Sequence, residues 1–222
     1  MSIFKNKIAI LATIFMFCLG FQKASAVTLE GFSIGAGYNY SAFMGSGKET
    51  MTGSGAATTQ KDITEEDGAF TDTVPSIFVE FDAGPASIGI EYVAGDMTTP
   101  SNTNLQDTTT NTVKATFKDH TMLYANIDLP FSTYLKLGYQ IVDIATQENL
   151  GTGSKYNDVD TDGYTIGLGY NRDMNNGMFL RAEVSAHSYD DVSATSTVDS
   201  SKKVDVTDMY GATAAIKVGK TF

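Results

Sequence analysis

Three aspartates with calcium-loop spacing are the most ligand-like residues of the chain. They are Asp158, Asp160 and Asp162, and Gly163 follows them directly. Carboxylates at alternate positions before a glycine open the calcium loop of EF-hand proteins. The bidentate Glu that should close the loop is missing, because Gly169 occupies its position. The pattern therefore favours a solvated acidic loop and leaves weak binding of a divalent ion open.

The sequence contains few patterns that are typical of catalytic sites. The two histidines, His120 and His187, follow no triad spacing with a serine or a carboxylate. Residues 45–48 resemble a phosphate loop, but residue 42 is Ala and residue 49 is Glu, where such a loop needs Gly and then Ser or Thr. We therefore expect no enzyme activity, no metal site and no cofactor. His187 shares a strand face with Glu183 and is interpreted as a hydrogen-bonded structural histidine.

Charged residues recur on one face of several alternating segments. They are Glu80, Asp82, Glu91, Lys136, Arg181, Glu183 and Lys217. Their signs are close to balanced, although the chain as a whole is acidic. If this face lines a narrow lumen, each charge needs an opposite partner, because an unpaired buried ion is strongly destabilising. We predict an interior ion-pair network, and the alternative is an ordinary solvated sheet face of mixed charge.

Eight predicted strands would position these residues. They span about 31–43, 73–83, 86–96, 113–129, 132–146, 161–173, 178–190 and 204–222. Tight turns at 84–85, near Pro130 and at 174–177 alternate with long connections at 44–72, 97–112, 147–160 and 191–203. Every strand has one apolar face, as in Leu135, Leu137 and Tyr139. The pattern predicts an all-β, antiparallel up-and-down transmembrane β-barrel of about eight strands, with short periplasmic turns and long extracellular loops.

The first 26 residues have the order of a secretory signal peptide. Lys5 and Lys7 precede an apolar stretch from residue 8 to about 21, and Ala24-Ser25-Ala26 forms a small-residue cleavage site. Cleavage should leave one domain, 27–222, without cysteine, since Cys18 lies in the peptide. Without the three lysines of the peptide, about 12 Lys and Arg face 26 Asp and Glu, so the net charge is near −14. Nucleic acid is not expected as a partner of such a surface.

The last strand alternates apolar residues with small or polar ones and ends on Phe222. Such an ending resembles the assembly signal of outer-membrane β-barrels. With the strand GFSIGAGYNYSAF and the ending IKVGKTF, residues 31–222 are similar to the small outer-membrane barrels of the OmpA/OmpX and opacity-protein type. The resemblance implies the outer membrane of a Gram-negative bacterium and assembly by the barrel-assembly machinery. Lys220 departs from the signal, which prefers an apolar or aromatic residue at that position.

The expected width of the barrel limits its function. Eight strands enclose an interior that side chains fill or that holds one small ligand, whereas diffusion pores use about 16 to 18 strands. We therefore expect a structural or surface-interaction role, adhesin-like or antigen-like, through the extracellular loops. Expected partners are outer-membrane lipid and lipopolysaccharide, and the loops are candidates to bind host or neighbour-cell surface molecules. The alternatives are a narrow porin-like channel or small hydrophobic-ligand conduit, and a soluble periplasmic barrel that carries a ligand.

Overall fold

A computed structural model describes residues 30–52, 60–106, 109–150 and 153–222 of the 222-residue chain. The predicted signal peptide, residues 1–26, and its cleavage site lie outside these residues. In the described ranges, no helix is both long and apolar enough to cross a membrane.

Eleven strands and one short 3-10 turn make up most of the described residues. The strands are β1 Phe32–Thr52, β2 Gln60–Asp82, β3 Ala86–Val93, β4 Met97–Thr98, β5 Asn102–Gln106, β6 Thr109–Leu129, β7 Thr133–Leu150, β8 Val159–Asp173, β9 Met178–Tyr189, β10 Val192–Thr195 and β11 Lys202–Thr221. The 3-10 turn is Asn175–Gly177. Three tight connections, at 83–85, 130–132 and 174–177, lie together at one end of the sheet, which we call the turn end. The opposite end is called the outer end.

The strands form one antiparallel sheet that closes on itself. Neighbouring pairs follow the order β1, β2, β3, β6, β7, β8, β9 and β11, and β11 pairs back with β1. Towards the outer end, β4 and β5 continue the line of β3 by pairing with β6, and β10 continues the line of β9 by pairing with β11. The wall is therefore an up-and-down barrel of eight strands, and the predicted fold class is confirmed. A closed sheet of this kind satisfies its backbone groups in lipid.

Apolar side chains of the barrel point outward. Leu137, Ile166 and Val184 expose 43%, 56% and 59% of their surface, whereas Glu91 exposes only 4%. A water-soluble sandwich or barrel would bury the first three residues and expose the fourth. The predicted orientation is therefore confirmed, and the outer surface of the barrel carries an apolar belt.

β1 and β2 extend much further than predicted. We predicted a long loop over 44–72, but β1 continues to Thr52 and β2 begins at Gln60. The two strands pair along this whole extension, as Gly47 does with Glu66, so the backbone groups bond to each other rather than to water. The other long connections also shorten, because β5, β7, β8 and β10 each occupy part of a predicted loop. The outer end is therefore built largely from strand extensions.

Two bulges change which residues face inward at the outer end. In β6 the pairing with β7 shifts between Lys118 and Thr121, where Asp119 adopts a positive φ of 49°. In β11 the pairing with β1 shifts at Asp208, whose φ is 52°. One extra residue moves every following side chain to the opposite face of the sheet. The alternate apolar positions that face outward on the turn side of each bulge therefore face inward beyond it.

Candidate functional site

Four charged side chains meet in the middle of the lumen. Lys136 Nζ lies 2.9 Å from Glu91 Oε2 and 3.0 Å from Glu183 Oε1. Lys217 Nζ contacts the same two oxygens, at 2.6 and 3.2 Å. All four residues are buried, and two ammonium groups balance two carboxylates. We call this group the lysine–glutamate cluster.

Arg181 and Glu80 form a further ion pair beside the cluster. Arg181 Nη1 lies 2.6 Å from Glu80 Oε1, and the Tyr124 hydroxyl donates a hydrogen bond to the same oxygen at 2.8 Å. The Tyr134 hydroxyl donates to Glu183 Oε2 at 2.9 Å, and the Arg181 guanidinium lies 5.4 Å from the centre of the Tyr134 ring. Each of these buried charges thus has an opposite charge or a hydrogen-bond donor against it, as burial requires.

Six of the seven residues that we predicted for the network occupy these two groups, and Asp82 does not. Asp82 is exposed at the end of β2, and its Oδ1 accepts a hydrogen bond from the Gly84 backbone N–H at 2.7 Å. The strand ends there, so this side chain binds the turn backbone rather than a lumen cation.

Phe222 lies at the junction of the first and last strands. Its backbone N–H donates to the Phe32 carbonyl at 2.9 Å, which helps to close the barrel. Recognition of Phe222 during assembly stays a prediction.

Four inward aromatic rings each lie against a glycine of the neighbouring strand. The cross-strand pairs are Phe78 with Gly35, Tyr124 with Gly89, Tyr134 with Gly169 and Phe179 with Gly219. At each of these glycines, an added Cβ would lie well inside van der Waals contact of the ring. The missing side chains therefore make room for the aromatic rings to fill the lumen.

The ion pairs and rings together plug the barrel. Only about 30 Å³ remains open among the lysine–glutamate cluster, His120 and His187. A space of that size holds a few water molecules at most, since one needs about 10 to 15 Å³. A polar hollow of about 380 Å³, lined in part by Glu80, Asn126 and Arg181, opens on the turn side of the plug. The lumen is therefore closed at its centre.

Both histidines belong to this packing. His187 Nδ1 lies 2.9 Å from the Thr165 hydroxyl, and its Nε2 lies 2.9 Å from the Thr213 hydroxyl. His120 Nε2 lies 2.7 Å from Gln140 Oε1. Hydroxyl and amide groups, rather than carboxylates, are thus the hydrogen-bond partners that the structure gives the two rings. This arrangement is that of structural histidines and not of a catalytic triad.

An apolar cavity of about 600 Å³ occupies the outer end of the barrel. Its walls are the inward faces of the strand extensions, and they include Val113, Ala115, Ile144, Val192, Val204 and Val206. Glu49 and Lys114 are the charged side chains among the described lining residues. Apolar walls with few polar groups are typical of small-molecule sites. We take this cavity as the candidate functional site.

The floor of the cavity is a group of three stacked aromatic rings. Phe43 lies 5.3 Å from Phe70 and 6.1 Å from Phe117, measured between ring centroids, and Phe70 lies 5.5 Å from Phe117. Val74 and Met97 are buried and pack with Phe43 in one hydrophobic cluster. The same two residues border the small space above the lysine–glutamate cluster. The ring group, which we call the phenylalanine floor, therefore separates the apolar cavity from the plug.

Residues 153–158 connect the two sides of the cavity. The Tyr156 hydroxyl donates a hydrogen bond to Glu49 Oε1 on β1 at 3.1 Å. The Thr197 backbone N–H donates to the Lys155 carbonyl at 2.7 Å, and Lys202 Nζ donates to the Ser154 hydroxyl at 3.2 Å. In the adjoining turn, hydrogen bonds from the Ser201 hydroxyl and backbone N–H lower the pKa of the Asp199 carboxyl. The outer end is therefore cross-linked by hydrogen bonds around the cavity.

The calcium-loop aspartates contact separate partners. Asp158 Oδ1 accepts a hydrogen bond from the Thr146 backbone N–H at 3.1 Å, and Asp162 Oδ2 accepts one from the Tyr139 hydroxyl at 2.6 Å. In the part of the chain that the structure describes, no three His, Cys, Asp or Glu side chains are grouped to hold a metal ion. Binding of a divalent ion by these aspartates stays an open prediction.

Sequence reasoning missed the apolar cavity, and the bulges explain why. In β6, Val113 and Phe117 continue the same alternate series as Leu123 and Ile127, so alternation alone would assign all of them to one face. The bulge at Asp119 turns the first two inward, where they line the cavity. An aspartate inside an alternating strand was the one available signal, since Asp tolerates positive φ better than most residues.

Fold and interior together define a class of protein: a narrow, plugged, up-and-down barrel with an apolar outer surface, which is the architecture of outer-membrane barrels. No protein-family model and no curated protein matches this chain. Among solved structures it is similar to the outer membrane protein OprG from Pseudomonas aeruginosa, with a TM-score of 0.51 and 10% identity over 87% of this chain and 98% of that one. It is also similar to the outer membrane protease OmpT from Escherichia coli, with a TM-score of 0.50 and 10% identity over 86% and 97%. At this identity the likeness establishes the outer-membrane barrel fold.

Proposed function

We propose that this chain is an outer-membrane β-barrel of a Gram-negative bacterium that acts at the cell surface by binding a small apolar ligand in its outer cavity. The observation that carries the proposal is an apolar cavity of about 600 Å³ beyond a plugged lumen. This volume lies inside the range of about 300 to 1,000 Å³ that small-molecule sites occupy. The surface-interaction role that the sequence suggested thereby gains a specific site.

The apolar belt and the positions of the turns support this location. Outward residues such as Ile166 and Val184 suit acyl chains, and bacterial barrels place their short turns in the periplasm. The outer end would then face the medium, and lipopolysaccharide would surround the extended strands. The predicted signal peptide and the terminal Phe222 are consistent with export and with assembly by the barrel-assembly machinery.

Binding is favoured over conduction because of what lies below the cavity. A channel would need a continuous water path, but the phenylalanine floor and the lysine–glutamate cluster both block the lumen. Moving a ligand through the barrel would require both layers to open and would leave buried charges unpaired. The porin-like and conduit alternatives are therefore the weaker proposals.

A binding titration in lipid nanodiscs tests the proposal. The probe is the neutral fluorophore N-phenyl-1-naphthylamine, and the signal of empty nanodiscs is subtracted. We expect saturable binding of about one probe per barrel. Ala115→Phe, which adds a ring on the inward face of β6, should weaken binding at least tenfold. The matched variant Ala186→Phe, on the outward face of β9, should change it less than twofold.

Two results would contradict the proposal. The first is probe uptake no greater than that of empty nanodiscs. The second is an equal effect of the two Phe variants, because binding would then not depend on the cavity. For each variant, a change in gel migration on heating the sample establishes that the barrel is folded before heating.

A further inference from the structure

The floor of the outer cavity offers a binding surface made of aromatic faces. Phe43 and Phe117 are almost parallel, with 11° between their ring planes, and Phe70 is inclined by 23° to Phe43 and by 25° to Phe117. All three rings line the cavity. Aromatic rings at such separations gain attraction beyond their buried area, and a further ring placed on the group extends the same interactions.

The phenylalanine floor is held in place by what packs against it. Phe43, Val74 and Met97 are buried together, and Tyr189 lies 6.2 Å from Phe43 between ring centroids. The rings come from β1, β2 and β6, which are fixed by their sheet pairing. A fixed surface loses little conformational freedom on binding, so contacts with it favour a ligand of matching shape.

The charged residues that line the cavity limit which polar groups a ligand can carry. Glu49 and Lys114 have opposite signs, so the described lining has no net charge. Glu49 already accepts the Tyr156 hydroxyl at 3.1 Å, and a carboxylate can accept further hydrogen bonds. A single hydroxyl or N–H group on the ligand can therefore be satisfied at Glu49, whereas an ionised group would lose hydration against walls that are mostly apolar.

From these features we propose that the outer cavity selects neutral ring-bearing compounds with one hydrogen-bond donor over straight-chain compounds of equal carbon number. The inference rests on the proposed function, since it names the ligand class of the same cavity. Short branched side chains such as Val113, Val204 and Val206 form part of the walls. Three tyrosines also line the cavity, but the phenylalanine floor is a group of three stacked rings, so we expect discrimination to depend mainly on it.

A matched pair of ligands tests the selection. 2-Naphthol and 1-decanol both have ten carbons and one hydroxyl. Their binding to nanodisc-held protein is measured by calorimetry, with empty nanodiscs as the blank and each affinity divided by the lipid partition coefficient of the compound. We expect 2-naphthol to bind at least tenfold tighter on this scale.

Substitutions that remove a ring but keep an apolar side chain locate the source of the preference. Phe70→Leu and Phe117→Leu should each lower 2-naphthol binding about threefold to tenfold and change 1-decanol binding less than twofold. The wall variant Val206→Ala is the control, and it should affect both ligands alike.

Three outcomes are distinguishable. A ring preference that the Leu variants reduce supports the inference. Equal binding of the two ligands, or equal loss of both in the Leu variants, overturns the inference and leaves the cavity a binding site for apolar compounds. Absence of binding by either ligand overturns the proposed function itself.

Discussion

Lys217 Nζ lies 2.6 Å from Glu91 Oε2, although 126 residues separate the two in the chain. Lys136 and Glu183 complete the same cluster, so β3, β7, β9 and β11 are joined through the lumen. Each charge is buried and depends on the others for compensation. The cluster therefore both blocks the lumen and links strands across it.

Removal of one cation from the cluster should destabilise the barrel strongly. In Lys136→Met, Glu91 and Glu183 share the single ammonium group of Lys217 and keep an excess negative charge in a buried site. We expect the free energy of unfolding to fall by about 3 to 5 kcal/mol. Urea-induced unfolding from lipid vesicles measures it. Asp82→Asn is the control and should stay within about 0.5 kcal/mol, since Asp82 is exposed. Equal effects of the two substitutions would refute a special role for the cluster.

A side chain at Gly169 should displace the ring that plugs the lumen beside it. An added Cβ at this position overlaps the Tyr134 ring, and movement of that ring breaks its hydrogen bond to Glu183. We expect Gly169→Ala to destabilise the protein by about 1 to 3 kcal/mol, as overpacking does. Gly68→Ala is the matched control, because no atom lies within 4 Å of an added Cβ there. Thermal unfolding of both variants decides the point, and similar melting temperatures would count against the packing argument.

A charge on the apolar belt should reduce stability according to its depth in the membrane. Ile166 is outward-facing and half exposed in the middle of the apolar run of β8. We expect Ile166→Arg to cost about 2 to 4 kcal/mol in lipid vesicles. Thr195→Arg, at an exposed position of β10 in the outer end, should cost less than about 1 kcal/mol. If both substitutions cost the same, the belt does not face lipid.

The plugged lumen should not conduct ions. We expect wild-type protein in planar bilayers to give no stable openings, because only about 30 Å³ remains open beside the lysine–glutamate cluster. A general diffusion porin inserted under the same conditions provides the positive reference. Reproducible openings of the purified wild-type barrel would move the channel alternative ahead of ligand binding.

The exported protein should begin at Val27. Intact-mass measurement of barrels purified from the outer-membrane fraction checks this, with residues 1–26 removed. Ala26→Asp places a charge at the small-residue cleavage site and should leave the precursor uncleaved. A wild-type mass that retains residues 1–26 would contradict the predicted signal peptide.

Alternation along the strands was sufficient to predict the fold and its orientation. Leu137 and Ile166 belong to alternating segments with one apolar face, and a one-residue slip in strand pairing would turn that face into the lumen. The pairing partners of individual charges did not follow from alternation. Glu80 meets Arg181 across the lumen, and that contact depends on the stagger of the closed sheet rather than on local sequence.

The strand conformation of the outer end could not be predicted from the sequence, for a different reason. Residues 44–52 and 65–72 contain Gly, Thr and acids that are common in loops, and their strand conformation comes from pairing with each other. Propensity is a weak guide where neighbouring strands supply the stabilisation. The bulges at Asp119 and Asp208 then reverse which face of the strand points inward, while the same alternate positions stay apolar on both sides of each bulge. Alternation alone therefore did not predict the lining of the cavity.

The pairing of β1 with β11 has a consequence for how the barrel folds. Ser33 and Thr221 are 188 positions apart and share a side-chain hydrogen bond across this last junction. Contacts so distant in the chain form late, and until they form the sheet has two unpaired edges. In water those edges and the outward leucines and valines would promote aggregation. We therefore expect productive folding to couple the first-to-last strand pairing to entry into the bilayer, and refolding yields to fall steeply when lipid is withheld.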